Sequence, residues 1–151
     1  MDARFLLDTN ICIYIRRQRP PAVLARFQQL KHGEAVLSVI TYGDLVYGAE
    51  KSQFREQASR QLAELAGLLP VMALPPHAGQ VYGAIRVALE ATGDMIGNND
   101  LWIAAHAKAA DLILVTNKAR EFRRVQGLKI ANWAGSAAAG GRRRPAPNEM
   151  S

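Results

Sequence analysis

The sequence predicts an α/β protein built on a short parallel central sheet with helices on both faces. Three observations support this. Short apolar runs recur along the chain, clearest in Leu112-Ile113-Leu114-Val115-Thr116, and read as buried strands. Between them lie longer stretches with apolar residues at helical spacing, the alternation that builds a sheet covered on two sides. The 151 residues, 49% hydrophobic and 21% charged, suffice for one domain with its own core.

Taken in order, Phe5-Leu6-Leu7 is a buried strand that runs into Asp8-Thr9-Asn10. These are good N-cap types, and a helix is expected over about 10–17. Pro20-Pro21 interrupts, and residues 22–30 form a second helix with Val23, Leu24, Phe27 and Leu30 on one face. Residues 35–39 read as the second strand, 41–49 as a helix, and 52–68 as a longer amphipathic helix. Residues 69–74 make a third strand, closed by Pro75-Pro76. A helix over 77–92 stops at Gly93, a natural C-terminal break. Gly97-Asn98-Asn99-Asp100 opens the next helix, over 100–110. The strand at 112–116 follows, then a short helix near 119–124 and a last strand near 129–131. The domain is expected to span residues 1–133. Residues 134–151, rich in Ala, Gly, Arg and Pro, read as a disordered tail. There is no internal repeat.

Charge and residue usage exclude several classes. Nineteen Lys and Arg stand against 13 Asp and Glu, a net charge of +6, and the excess persists in residues 1–133, so an anionic partner is expected, nucleic acid ahead of a membrane surface. The single Cys12 rules out an internal disulfide and a Cys-rich zinc site. His32, His77 and His106 are scattered and lack the helical spacing of a zinc hydrolase. No apolar run reaches the roughly 18 residues of a membrane span, and the N-terminus lacks the apolar core of a signal peptide. A cytoplasmic protein with no membrane partner is expected.

In a parallel sheet the ligand lies beyond the carboxyl ends of the strands, at a topological switch point. The residues just past each strand here are polar. Asp8 follows the first strand, Asp44 comes six residues past Ser38, Asp100 lies at the mouth of the late helix, and Thr116 and Asn117 close the clearest strand, with Glu121 one turn on. Individually each has an ordinary reading: Asp8 as an N-cap, Asp100 as a first-turn acid, Asp44 as a solvated helix residue and Asn117 as a turn residue. Together they imply a cation, because two unit charges about 4 Å apart repel by on the order of 4 kcal/mol at an effective dielectric near 20. Carboxylate and amide oxygens suit Mg²⁺ or Mn²⁺. Beside a basic surface, such an ion suits phosphodiester chemistry.

Four ordered blocks carry a family resemblance: Leu6-Leu7-Asp8-Thr9-Asn10, Ser38-Val39-Ile40-Thr41-Tyr42-Gly43-Asp44-Leu45-Val46-Tyr47-Gly48-Ala49, Ile96-Gly97-Asn98-Asn99-Asp100-Leu101-Trp102-Ile103-Ala104-Ala105-His106-Ala107, and Leu114-Val115-Thr116-Asn117-Lys118-Ala119-Arg120-Glu121-Phe122-Arg123-Arg124-Val125, closing with Gly127-Leu128 and Asn132-Trp133. In order and spacing they resemble the PIN-domain ribonucleases, specifically the toxins of VapBC toxin–antitoxin pairs. The resemblance covers residues 5–133. It implies a three-layer α/β/α PIN fold, metal-dependent endoribonuclease activity on tRNA or rRNA loops, a homodimer, and a cognate antitoxin whose C-terminal segment blocks the acidic pocket. The family's acidic quartet falls on Asp8, Asp44, Asp100 and the Asn117 position. Asp8 and Asp100 are the expected ligands of Mg²⁺ or Mn²⁺, and Asn117 is expected to orient water or the ligands.

Two positions depart from the family pattern. Asp44 stands where Glu is usual, and its carboxylate reaches about 1.5 Å less far. Asn117 is the milder departure, standing where many relatives have Asp and many others have Asn. A non-catalytic RNA- or antitoxin-binding module on the same fold is the alternative that Asp44 favours. A phosphotransfer domain with Asp8 as nucleophile would need a second Asp two residues on, where this chain has Asn10.

Around this set, Thr9, Asn10 and Thr116 are candidates for fixing the Asp8 carboxylate. Glu121 is expected to neutralise Arg120 or Arg124, or to help hold a second cation. Arg16, Arg17, Arg19, Lys118, Arg120, Arg123 and Arg124 are candidates for RNA phosphates. His106, Trp102, Trp133 and Cys12 are assigned to packing.

Overall fold

The computed structural model describes residues 2–134, so residues 135–151 of the expected tail lie outside the described residues. Five strands, β1 (Phe5–Leu7), β2 (Ala35–Ser38), β3 (Val71–Met72), β4 (Ile113–Val115) and β5 (Ile130–Ala131), form one sheet in the order β3-β2-β1-β4-β5. Every pairing is parallel, with Leu6 opposite Val36 on one side and Leu114 on the other. The helices are α1 (Thr9–Arg17), α2 (Pro21–Gln28), α3 (Val39–Glu50), α4 (Arg55–Leu68), α5 (His77–Thr92), α6 (Asn98–Ala109) and α7 (Ala119–Phe122).

Side chains alternate across the strands, and each set finds a different layer. Leu6, Val36 and Leu114 pack with Ile85 and Leu89 of α5, Leu101 and Ile103 of α6, and Phe122 of α7. Phe5, Leu7, Ala35, Leu37 and Val115 pack with Ile11 and Ile15 of α1, Val23 of α2, Ala49 of α3, and Leu62 and Leu65 of α4. The expected three layers are present. β1, β4 and β2 up to Leu37 are apolar because the centre of the sheet is covered on both faces, and each fully buried Leu in them contributes about 1.5–3 kcal/mol relative to exposure.

Element boundaries shift where a local partner decides them. α3 begins at Val39 rather than 41, because the Ser38 hydroxyl already accepts the Ile40 N–H at 3.1 Å. α4 begins at Arg55 rather than 52; there the Ser52 hydroxyl holds the Phe54 N–H in a turn. The third strand shrinks from the expected 69–74 to Val71–Met72 at the sheet edge. Pro70 offers only its carbonyl, taken by the Leu37 N–H at 2.9 Å, and Pro75-Pro76 lead directly into α5.

The chain moves outward from β1 through β2 to β3, then returns to lay β4 and β5 on β1's other side. The direction of winding therefore reverses between β1 and β4. Their carboxyl ends, Leu7 and Val115, are paired partners, so Asp8 and Thr116 emerge side by side at this switch point.

Candidate active site

Asp8 caps α1 and is 1% exposed. Its Oδ1 accepts the Thr9 backbone N–H at 2.8 Å, and its Oδ2 accepts the Thr116 hydroxyl at 2.9 Å. Burial raises the Asp8 carboxyl above its ordinary value; these two donors and the Lys118 ammonium pull it down, and Asp100 adds to the rise. Such a carboxylate gains from any further cation placed against it.

Thr116 is itself held, because its hydroxyl oxygen accepts the Lys118 backbone N–H at 2.9 Å. The Lys118 side chain turns toward Asp100 in the first turn of α6, its Nζ lying 3.2 Å from Oδ2 and 3.4 Å from Oδ1. Desolvation works against the ammonium, but the carboxylates of Asp8 and Asp100, with Glu121, outweigh it and hold Lys118 above the ordinary lysine value. Asp8, Asp100, Thr116 and Lys118 thus form one electrostatic unit built from β1, β4 and α6.

The remaining candidates occupy the rim. Asp44, on α3, accepts the Asn99 side-chain amide at 2.9 Å. Both ends of the Asn117 side chain are engaged with α1: its amide donates to the Tyr14 hydroxyl at 2.7 Å, and its carbonyl accepts the Asn10 amide at 3.2 Å. Asn10 therefore reaches Asn117 and not Asp8. Thr9 contributes its backbone N–H to Asp8. Glu121 makes no ion pair among the described residues and acts on Lys118 through space. Arg16, Arg17, Arg19, Arg120 and Arg123 are exposed, while Arg124, also exposed, donates to the Met95 carbonyl at 2.9 Å. Among the described residues no three His, Cys, Asp or Glu side chains gather closely enough to hold a metal by themselves.

Tyr14 and Asn99 were not singled out in the sequence. Tyr14 lies one helical turn past Asn10, so the two share a face, which is the signal that could have found it. Asn99 adjoins Asp100, but its orientation toward Asp44 depends on how α3 and α6 pack. Next to Thr9 and Asp44, α1, α3 and α4 enclose a groove of about 430 Å³, whose lining includes Ile13, Arg16, Leu45 and Phe54.

The PIN domain family matches residues 5–128. The chain belongs to the PIN-domain family. Within that family it is 41% identical over 130 residues to ribonuclease VapC2 of Haemophilus influenzae, covering 86% of this chain and 98% of that one. It is 39% identical over 131 residues to the tRNA(fMet)-specific endonuclease VapC of Shigella flexneri, with 87% and 98% covered. Among solved PIN-domain structures it superposes on a chain of DNA-bound VapBC from Salmonella typhimurium with a TM-score of 0.82 and 35% identity, over 87% of this chain and 99% of that one. A chain of VapBC2 from Rickettsia felis, bound to a promoter DNA fragment, gives 0.81 and 36%. For this PIN domain, the match takes in all four sequence blocks and therefore both strand ends that form the Asp8–Thr116 contact.

Proposed function

We propose that this PIN-domain protein is the ribonuclease toxin of a type II toxin–antitoxin pair, a metal-dependent endonuclease that hydrolyses structured RNA at tRNA or rRNA loops in the cytoplasm. The observation that carries the reading is the buried Asp8 at the sheet's switch point, linked through Thr116 and Lys118 to Asp100, in a chain spanning almost the whole length of VapC ribonucleases. Asp8 and Asp100 would hold Mg²⁺ or Mn²⁺. The fit rests on two features: the donors are hard oxygens, and the pocket already draws a cation, the Lys118 ammonium, to within 3.2 Å of Asp100. A bound divalent ion supplies positive charge to an attacked phosphodiester and acidifies nearby water.

The chain's own residues do the rest. Thr116 and the Thr9 N–H keep the Asp8 carboxylate in one orientation. Asp44, steadied by Asn99, places a further negative group at the rim. Asn117 fixes the Tyr14 hydroxyl beside the pocket. The exposed arginines of α1 and α7 attract the RNA backbone without reading sequence. The solved relatives are VapBC complexes, which supports a cognate antitoxin; the mixed polar and apolar groove beside Asp44 offers its C-terminal segment a path to the acids. A homodimer belongs to the same reading.

The test is cleavage of a mixed tRNA and rRNA substrate by the purified full-length protein with Mg²⁺, with Mn²⁺ and with EDTA. Cleavage is expected only with ion, and Asp100→Asn is expected to reduce it by on the order of a hundredfold or more. Cleavage that survives both EDTA and Asp100→Asn would overturn the mechanism. Asp44→Glu, run alongside, separates a handicapped nuclease from a binding module: a gain in rate indicates the first, and inert protein with either side chain indicates the second.

A further inference from the structure

Lys118 is held where a phosphate-seeking lysine would not be. Its backbone N–H is tied to Thr116 Oγ1, the same hydroxyl that donates to Asp8. Its side chain turns inward onto both oxygens of Asp100 instead of extending into water. Lys118–Asp100 is the only ion pair among the described residues in which both side chains are less than half exposed, at 33% and 16%. The ordinary habit of lysine is to bury its stem and keep the ammonium hydrated. Here the carboxylates draw the ammonium in.

We propose that Lys118 is a resident counter-ion of the acid pocket: in the metal-free protein its ammonium, paired with Asp100, takes up the position against that carboxylate that a divalent cation would take, so ion binding is an exchange that expels Lys118. The inference rests on Asp8 and Asp100 being the ion's ligands. Asp8 is 1% exposed and the Asp100 side chain 16%, so carboxylates this poorly hydrated need a positive neighbour, and Lys118, 3.2 Å from Asp100, is the one at hand. A doubly charged ion satisfies the same oxygens better, and the ammonium, repelled by it, swings out on its four-carbon stem. Expelled, it stands at the pocket mouth as a point charge suited to a phosphate oxygen. The ion thereby turns an inward lysine into a substrate-facing one, and a lysine kept inward protects the acids from mutual repulsion while no ion is present.

Titration calorimetry of Mn²⁺ into the metal-free full-length protein tests this without reference to activity. Lys118→Met keeps the stem and removes the charge, and is expected to bind Mn²⁺ at least about tenfold more tightly than the unaltered chain. Arg120→Met removes the same charge from an exposed side chain two residues away, and is expected to change the affinity by less than about threefold, since exposed charges are strongly screened. Lys118→Arg, which keeps the charge, should bind no more tightly than the unaltered chain. Without ion, Lys118→Met should melt at a lower temperature, and Mn²⁺ should raise its melting point further than it raises that of the unaltered protein. Unchanged or weaker Mn²⁺ binding by a Lys118→Met protein with native circular dichroism would overturn the exchange. If the unaltered chain and Asp100→Asn bind Mn²⁺ alike, the assignment of the ion's ligands falls, a failure distinct from that of the exchange.

Discussion

The carboxyl ends of β2 and β4 use the same device for different ends. β2 ends on a fully buried hydroxyl, Ser38, and another, Thr116, directly follows β4. Each hydroxyl oxygen accepts the backbone N–H two residues on, Ile40 at 3.1 Å and Lys118 at 2.9 Å. Each also reaches one titratable partner on another element, His106 Nδ1 at 2.9 Å and Asp8 Oδ2 at 2.9 Å. Beyond that point they differ. His106 is sealed within α6, and burial holds its pKa below the ordinary value, so the pair is a neutral internal tie that also caps α3. Asp8 lies at the switch point, where Asp100 and Lys118 add charge. The hydroxyl orients whatever partner it meets. Only at the β4 end does the reversal of winding bring acids and a lysine together, and the proposed chemistry rests on that end.

The most damaging way to probe this comparison is Thr116→Val, which keeps the shape and deletes the hydroxyl. Cleavage is expected to fall by about 10–100-fold, the usual cost of losing a group that orients a metal ligand. Stability should drop by about 1–3 kcal/mol for the polar groups left unpaired. RNA cleavage rates beside urea unfolding measure both, and a stability loss with no rate loss would make the β4 end as passive as the β2 end. Ser38→Ala sharpens the contrast. It should cost about 0.5–2 kcal/mol in urea unfolding through the lost α3 cap while the cleavage rate holds. A rate loss on the scale of Thr116→Val would place β2's end in the site.

The smallest effect is one of pH. Because the folded pKa of His106 lies below its ordinary 6.5, the unfolded chain takes up a proton that the folded one refuses. This contribution to stability is intact above that value and is lost as the pH falls from it toward the lowered folded pKa, by at most about 1.4 kcal/mol per pH unit. Unfolding measured between pH 7.5 and 5.5 should show a shallower acid loss for His106→Gln than for the unaltered protein. Equal slopes would mean that His106 is charged inside the fold.

Much of the fold was legible because each layer leaves a local mark. The strands are uninterrupted apolar runs, α1 opens on Asp8-Thr9-Asn10, and α5 stops at Gly93, whose φ of 72° suits a residue without a Cβ. His106 and Cys12 were legible as packed residues from their apolar neighbours, and both are fully buried. The acid positions could be named because each follows a strand or opens a helix. Which of them meet could not be read from spacing: the Asp8–Thr116 bond joins residues 108 apart and the Asn10–Asn117 bond residues 107 apart. Asn117 could be placed at the rim, but its bonds to Asn10 and Tyr14 depend on the distance between α1 and the end of β4. The inward turn of Lys118 was equally hidden, since a lysine in a basic stretch reads as a solvated charge until the field of two carboxylates is known.

From its residues alone this chain determined its layers, the order of its elements, the basic balance that invites an anionic partner, and the set of polar side chains that stand past its strands. These follow from interactions between neighbours, namely periodicity, capping and apolar runs, which act over a few residues. The tertiary structure decided that β4 returns to pair with β1, and with that pairing which acid is buried, which hydroxyl binds it and which lysine neutralises it. Coulomb forces and desolvation depend on distances in space, and here the buried acid and the hydroxyl that binds it lie 108 residues apart along the chain.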